Sequence, residues 1–368
     1  MINKKRVLQT LLDLLKIDGP ALCERPIADY LIKYYKEIGI KLEEDDSGNK
    51  IEGNAGNLYC YIPGDEKCEP IAFLAHMDTV KSTKGMEPIV TDEHIKTDGT
   101  AILGADDCLG VALMCELAHF LQETKTNHCP VEMIFTIAEE IGLLGIKNID
   151  YKKIKSKTAY ILDAGGEAGK IVSRAPSLER IKIIVKGKSA HSGACPEKGI
   201  NAIAIAAKAI SNIKQGRIDS ETTLNIGKIN GGEATNIVPE SVSVEGEARS
   251  FKPDVLNEQV KNIEKQFQCA AYEFGGEIDF SHRLSFSTFD ISKESLSVEL
   301  AVEASKKIGL EYKITQTGGG SDANVLNLHG INSVALGIGY FNEHTNSEYI
   351  SLEDFYKSLD WLVEIIKR

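Results

Sequence analysis

The chain has 368 residues, more than one hydrophobic core usually holds, so two domains are the default expectation. Its 42 Lys and Arg against 54 Asp and Glu leave a formal charge of −12, which argues against nucleic acid as a partner, since phosphate binding needs clustered basic residues. No apolar run approaches a membrane span, and the eight cysteines include no C-x-x-C pair and no dense framework, the pattern of reduced thiols in a cytoplasmic protein.

The first residues, M-I-N-K-K-R, are basic as in a signal peptide, but Asp13, Lys16 and Asp18 interrupt the following apolar stretch at helical spacing. An amphipathic helix over residues 7–17 is therefore expected. A second helix is expected over 27–38, opened by Pro26 and closed by Gly39. Residues 57–62 read as a strand before the Pro63-Gly64 turn, and 71–75 as the short, fully buried strand that a parallel sheet needs. That strand runs into His76-Met77-Asp78. Residues i and i+2 of a strand share a face, so His76 and Asp78 leave the sheet edge together, where open α/β sheets place ligands. An imidazole suits a metal, and a neighbouring carboxylate suits orienting the ring. Residues 87–103, with an Asp98-Gly99 turn, suggest a hairpin.

Asp106 and Asp107 stand where an apolar helix over 111–121 begins, a position that acids also occupy simply as caps. The buried strand 131–138 runs directly into Glu139-Glu140, with no basic residue following to pair with them. Strand 158–162 ends at Asp163, followed by Ala164-Gly165-Gly166. From about Ser177 the texture changes. An alternating strand over 178–185 leads to a polar loop around His191, a helix over 201–213, strands over 224–229 and 238–251, a helix over 255–274 and a strand around Ile278. This β-α-β-β-α-β order reads as a split βαβ module inserted into the first domain. The βα texture resumes near Lys293, with a helix over 296–308, strands over 312–315 and 334–338, and a closing amphipathic helix.

His76, Asp106, Glu140, Asp163 and His344 together offer two imidazoles and three carboxylates without thiolate, with Asp78 and Glu139 beside them. Such donors suit two zinc-like ions sharing one carboxylate, and manganese or cobalt suit them as well. Two ions would polarise a scissile carbonyl and acidify a water, whose proton Glu139 is suited to take.

The ordered motifs H-M-D-T-V, G-A-D-D, A-E-E-I-G, L-D-A-G-G, A-H-S-G, G-G-G-S-D and E-H-T-N-S-E-Y-I resemble the dinuclear-zinc exopeptidase family that includes carboxypeptidase G, aminoacylase and peptidase T. L-G-A-D-D and H-T-x-x-E-Y-I are most similar to the peptidase T branch, and the resemblance spans nearly the whole chain. It implies an α/β catalytic domain (1–176 and 288–368) with a central mixed sheet flanked by helices. It further implies an inserted α+β ferredoxin-like lid and dimerisation domain (177–287). By the same resemblance Asp106 bridges two ions, His76 and Asp163 complete one, and Glu140 and His344 the other. Asp78 orients His76, and Glu139 is the general base. His191 becomes a lid residue that reaches the neighbouring subunit's site of a homodimer. Asn236, Arg249, Gly320, Ser321 and Asp322 fall at substrate-binding positions. Where the family has a lysine after the paired acids, this chain has Cys108, read here as a small buried group.

The implied activity is release of the N-terminal residue from tripeptides. Carboxypeptidases, dipeptidases and N-acyl-amino-acid amidohydrolases share the scaffold and remain alternatives. A non-catalytic peptide-binding protein is a further alternative, against which the intact Glu139 and ligand set argue. His191 also reads as an ordinary loop histidine among Lys186, Lys188 and glycines, and Arg249 as a partner of Glu245 or Glu247.

Overall fold

The strand Ile71–His76 is buried along its whole length. It lies between Val131–Thr136 and Thr158–Ala164 and runs parallel to both. A strand covered on both faces needs apolar side chains on both, which I-A-F-L-A supplies. In Val131–Thr136 the exceptions are Thr136 and Glu132, whose carboxylate accepts the backbone amides of Lys155 and Ser156. These relationships come from a computed structural model, which describes residues 2–124 and 126–367.

The chain forms two compact units, one of Met1–Arg174, Asp290–Thr317 and Ser321–Arg368, the other of Ala175–Phe289 with Gly318–Gly320. In the first unit the sheet extends to Asn332–Gly337, parallel to Thr158–Ala164. On its other side lie Leu58–Ile62 and Glu43–Glu44, both antiparallel, so the sheet is mixed. Phe73, Phe135 and Tyr160 from the sheet share one core with Leu109, Leu113, Phe355 and Trp361 from the helices Ala105–Glu123 and Leu352–Ile366. Trp361 also satisfies its indole N–H on the Ala301 carbonyl at 2.8 Å. A small antiparallel sheet joins Tyr340–Phe341, Tyr349–Ser351, His94–Lys96 and Ile89–Val90, and the loop between its first two strands carries His344.

Several short elements of this unit lie outside the expectation, two of them beside the site-bearing strands. Lys170–Ala175 is a strand separated from the next one, Ser177–Lys186, by Pro176 alone, so no turn signal marks its end. Asp322–Leu328 is a helix of 7 residues, too short to show a helical period. Its start is fixed by a capping box between Ser321 and Asn324.

The N-terminal helix Lys4–Leu14 is joined to Ala105–Glu123 by one buried carboxylate. Glu116 is 0% exposed and accepts from Arg6 Nε at 2.7 Å, from Arg6 Nη2 at 2.8 Å and from the Asn3 amide at 2.8 Å. Removing the guanidinium leaves that charge uncompensated. Arg6→Met is therefore expected to lower unfolding stability by about 3 kcal/mol in urea titrations, and adding Glu116→Leu should recover most of the loss. Wild-type stability in Arg6→Met alone would contradict this.

The second unit is a five-stranded antiparallel sheet in the order Gly216–Arg217, Thr222–Gly231, Ser241–Ser250, Ser177–Lys186, Glu277–Phe286. The helices Ala202–Ser211 and Pro253–Phe274 cover one face, with Ile181, Ile183 and Val185 packed among Ile205, Ile263 and Phe267. The ferredoxin-like order is present, with Gly216–Arg217 added at one edge. Among the described residues, no helix is long and apolar enough to cross a membrane.

Candidate active site

Three neighbouring parallel strands deliver the chemistry at their carboxyl ends. His76 is the last residue of Ile71–His76, Asp163 lies near the end of Thr158–Ala164, and Glu139 and Glu140 follow Val131–Thr136. Asp106 enters at the start of the buried Ala105–Glu123 helix, where the backbone of Asp106 and Asp107 is not yet helical and the peptide between them is cis. His344 comes from the small sheet's loop.

Asp106 stands between the two imidazoles. Its Oδ1 is 2.9 Å from His76 Nε2, and its Oδ2 is 3.2 Å from His344 Nε2. Asp163 Oδ1 lies 3.8 Å from His76 Nε2, and Glu140 Oε1 lies 3.0 Å from His344 Nε2. Donors to one tetrahedral zinc stand roughly 3.3–3.6 Å apart, as follows from bonds of about 2.0–2.2 Å. The four separations bracket that spacing rather than match it, and the N/O donor set is one that divalent cations take. Donor atoms of His76, Glu139 and Asp163 also all fall within 4.8 Å of one another, so Glu139 borders the same cluster.

The electrostatics agree with a site built for positive charge. Burial pushes the Glu139 carboxyl well above the ordinary range, with the charge of Asp163 adding to it. Burial and then Asp106 lift Asp163 to about 7. Burial alone would lower His76, but the hydrogen bond to Asp106 and the nearby carboxylates of Asp163 and Asp78 outweigh it and raise the ring well above its usual value. Hydrogen bonds to Asp106 and Glu140 raise His344 to about 10. Burial opposes ionisation of Asp106, yet the hydrogen bonds from His344 and His76 hold its pKa below the usual range.

The backbone around these groups is held by further acids. His76 Nδ1 donates to the backbone carbonyl of Asp78 at 2.8 Å, while the Asp78 carboxylate is 3.6 Å away. That carboxylate accepts instead from the amides of Glu139 at 2.9 Å and Glu140 at 3.1 Å. Asp78 thus fixes the His76 ring chiefly through its main chain and the two glutamates through its side chain. Asp107, fully buried, accepts from the His76 amide at 3.2 Å and the Gly110 amide at 3.0 Å. Residue 110 must be glycine, because a Cβ there would meet Asp107 Oδ1 at 2.4 Å and Leu162 O at 2.6 Å. Glu348 accepts from the amides of Gly104 at 2.9 Å and Asp106 at 3.2 Å, and Tyr340 donates to Asp163 Oδ1 at 3.0 Å. Sequence reasoning missed these three. Glu348 lies inside a quoted motif and Asp107 inside another, but neither motif says what the side chain holds.

A family model described as Peptidase family M28 matches residues 57–179, the stretch that carries His76, Asp106, Glu139, Glu140 and Asp163. A second, the M20 peptidase dimerisation domain, matches residues 177–274. An uncharacterised protein, YqjE of Bacillus subtilis, is 40% identical over 367 residues, covering 100% of this chain and 99% of that one. Aminopeptidase PepT from Bacillus cereus superposes with a TM-score of 0.90 at 40% identity, covering 99% of this chain and 98% of that one. The chain belongs to the peptidase T branch of the dinuclear-metal exopeptidases. A tripeptidase from Staphylococcus aureus superposes at 0.95 with 37% identity, over 100% of this chain and 98% of that one.

Cys108, where the peptidase T resemblance has lysine, is 4% exposed, and burial pushes its thiol up to about 12. It is a buried neutral thiol. Ser321 and Asp322 belong to the first unit, where Asp322 Oδ2 accepts from Thr136 Oγ1 at 2.7 Å. The other residues at the expected substrate positions of the peptidase T pattern lie in the second unit. There Gly320 abuts the Phe286 ring. Arg249 donates to Glu247 at 2.9 Å and to the Gly318 carbonyl at 2.9 Å. His191 is exposed, and its Nδ1 accepts from the amides of Gly193 and Ala194, which leaves the ring proton on Nε2. The Asn236 carbonyl receives the Ser192 amide, so His191 and Asn236 share one paired loop.

Proposed function

We infer that this protein is a metal-dependent aminopeptidase that releases the N-terminal residue of tripeptides. The observation that carries the reading is Asp106 between His76 and His344, with Glu139 bordering the same cluster. The peptidase T relatives support the substrate class. Two divalent cations, held by His76, Asp106 and Asp163 and by Asp106, Glu140 and His344, would polarise the scissile carbonyl and make a water more acidic. Zinc suits the imidazole and carboxylate donors best.

The protein's own groups do the rest. The hydrogen bond to the Asp78 carbonyl holds the His76 proton on Nδ1 and leaves Nε2 as the ligand atom. Glu139 takes a proton from the attacking water on its carboxylate and delivers it to the departing amine nitrogen. Arg249 and Asn236 bind the substrate's C-terminal carboxylate, a task for which a planar guanidinium is better shaped than an ammonium. The segment matched by the dimerisation model supports a homodimer, with His191 serving the partner's site. Eight cysteines with no C-x-x-C pair and no dense framework support a cytoplasmic location.

The test is Leu-Gly-Gly. Leucine and Gly-Gly are the expected products, and N-acetylation should abolish cleavage. Leu-Gly with free glycine would overturn the N-terminal reading. Wild type should prefer the free acid over the C-terminal amide by about 10- to 150-fold in kcat/KM, the worth of one charge-assisted hydrogen bond. Arg249→Lys should lose most of that preference with its metal content unchanged. Undiminished discrimination in the variant would remove Arg249 as the carboxylate anchor.

A further inference from the structure

Glu24 is a buried acid to which the reaction gives no task. It is 0% exposed and sits just before the helix Arg25–Glu37, yet its side chain does not cap that helix. Its Oε1 accepts instead from the Leu22 amide at 2.9 Å and from the Ala138 amide, 114 residues away, at 2.9 Å. Its Oε2 is buried with no hydrogen-bond partner among the described residues, so Oε1 carries the whole connection.

Ala138 is the residue before Glu139, and its φ is +49°, in the left-handed region. An L-residue with a Cβ occupies that region at a cost of about 1–3 kcal/mol, so surrounding contacts must enforce it. Asn57 Oδ1 holds the Ile137 amide at 3.1 Å and the Leu144 amide donates to the Ala138 carbonyl at 3.0 Å, while the amides of the bend itself go to two carboxylates. Glu24 holds the amide of Ala138, and Asp78 holds the amides of Glu139 and Glu140. Three successive N–H groups are thereby fixed at the bend that turns the chain out of the strand Val131–Thr136. The Asp78 carboxylate takes the amides of the two residues after Ala138, and the Ala138 amide itself goes to Glu24.

We propose that Glu24 is a positioning residue for the general base: its Oε1 locks Ala138 in the left-handed conformation that aims the Glu139 carboxylate. The proposal rests on the reading of Glu139 as the base. Reach, not charge, is what the role requires. Glu24→Gln keeps an oxygen at the same distance and loses the charge, whereas Glu24→Asp keeps the charge and falls one methylene short.

The test compares kcat, KM and bound metal in these two variants of the full chain, with Leu-Gly-Gly as substrate. Glu24→Asp should lower kcat on the order of ten- to a hundredfold, as for a catalytic group displaced by a fraction of an ångström to one ångström, with KM and two metals per chain unchanged. Glu24→Gln should retain most of the kcat that Glu24→Asp loses. Adding Ala138→Gly to Glu24→Asp should restore part of the lost kcat, because glycine adopts a positive φ unaided. Equal kcat in the Asp and Gln variants would overturn the proposal, as would a loss in Glu24→Asp that appears in KM or in metal content. If Glu139→Gln loses turnover while Glu24→Asp keeps it, only the positioning role fails. Wild-type turnover in Glu139→Gln would remove the base itself, and this role with it.

Discussion

Glu139→Gln is expected to lower kcat by on the order of 10²–10⁴ while the protein still binds two metals per chain. Glutamine matches glutamate in shape but cannot take a proton, so the substitution isolates the proton transfer. The local backbone should not respond, since the amide of residue 139 stays on Asp78 Oδ1. Burial and the neighbouring Asp163 raise the Glu139 carboxyl above the ordinary range. Kinetics on Leu-Gly-Gly with metal analysis of the same samples distinguishes the outcomes. An emptied metal position would make Glu139 a ligand, as its place beside His76 and Asp163 would then require. Undiminished turnover would place the base elsewhere.

Asp106→Asn should have a larger effect, because this one carboxylate serves both halves of the site. Its oxygens face different histidines, and among the described residues no other carboxylate is paired with both. An amide presents a single acceptor oxygen and no charge, so the pair of sites cannot be held as before. The expected loss is several kcal/mol of transition-state stabilisation, on the order of 10³-fold or more in kcat/KM. Zinc or manganese titration by calorimetry should show weakened binding at both positions. Asp163→Asn, by contrast, should weaken one. Two sites of unchanged affinity in Asp106→Asn would refute the bridging role.

The proposed ligands were legible because each strand that carries one is short, apolar and followed at once by an acid or a histidine. Parallel strands in an open sheet leave little choice about where those ends go. The supports were not legible in the same way. Glu348 reaches Gly104 across 244 residues, Tyr340 reaches Asp163 across 177, and Glu24 reaches Ala138 across 114. Contacts at such separations leave no period and no spacing in the chain. Asp107 was visible as one of two adjacent acids, but a local reading offers helix capping first, and only the fold turns its carboxylate back to the His76 amide. Arg249 shows the converse. Its pairing with Glu247 was open from the sequence and is present, while the Gly318 carbonyl as a second partner depends on a segment 69 residues away.

The measurement that bears most directly on the account is stoichiometric reactivation. Protein stripped of metal with a strong chelator should not hydrolyse Leu-Gly-Gly. Activity should return on adding zinc, manganese or cobalt and should level off at two equivalents per chain. Hydrolysis at the full rate by metal-free protein, or full reactivation at one equivalent, would contradict a dinuclear site.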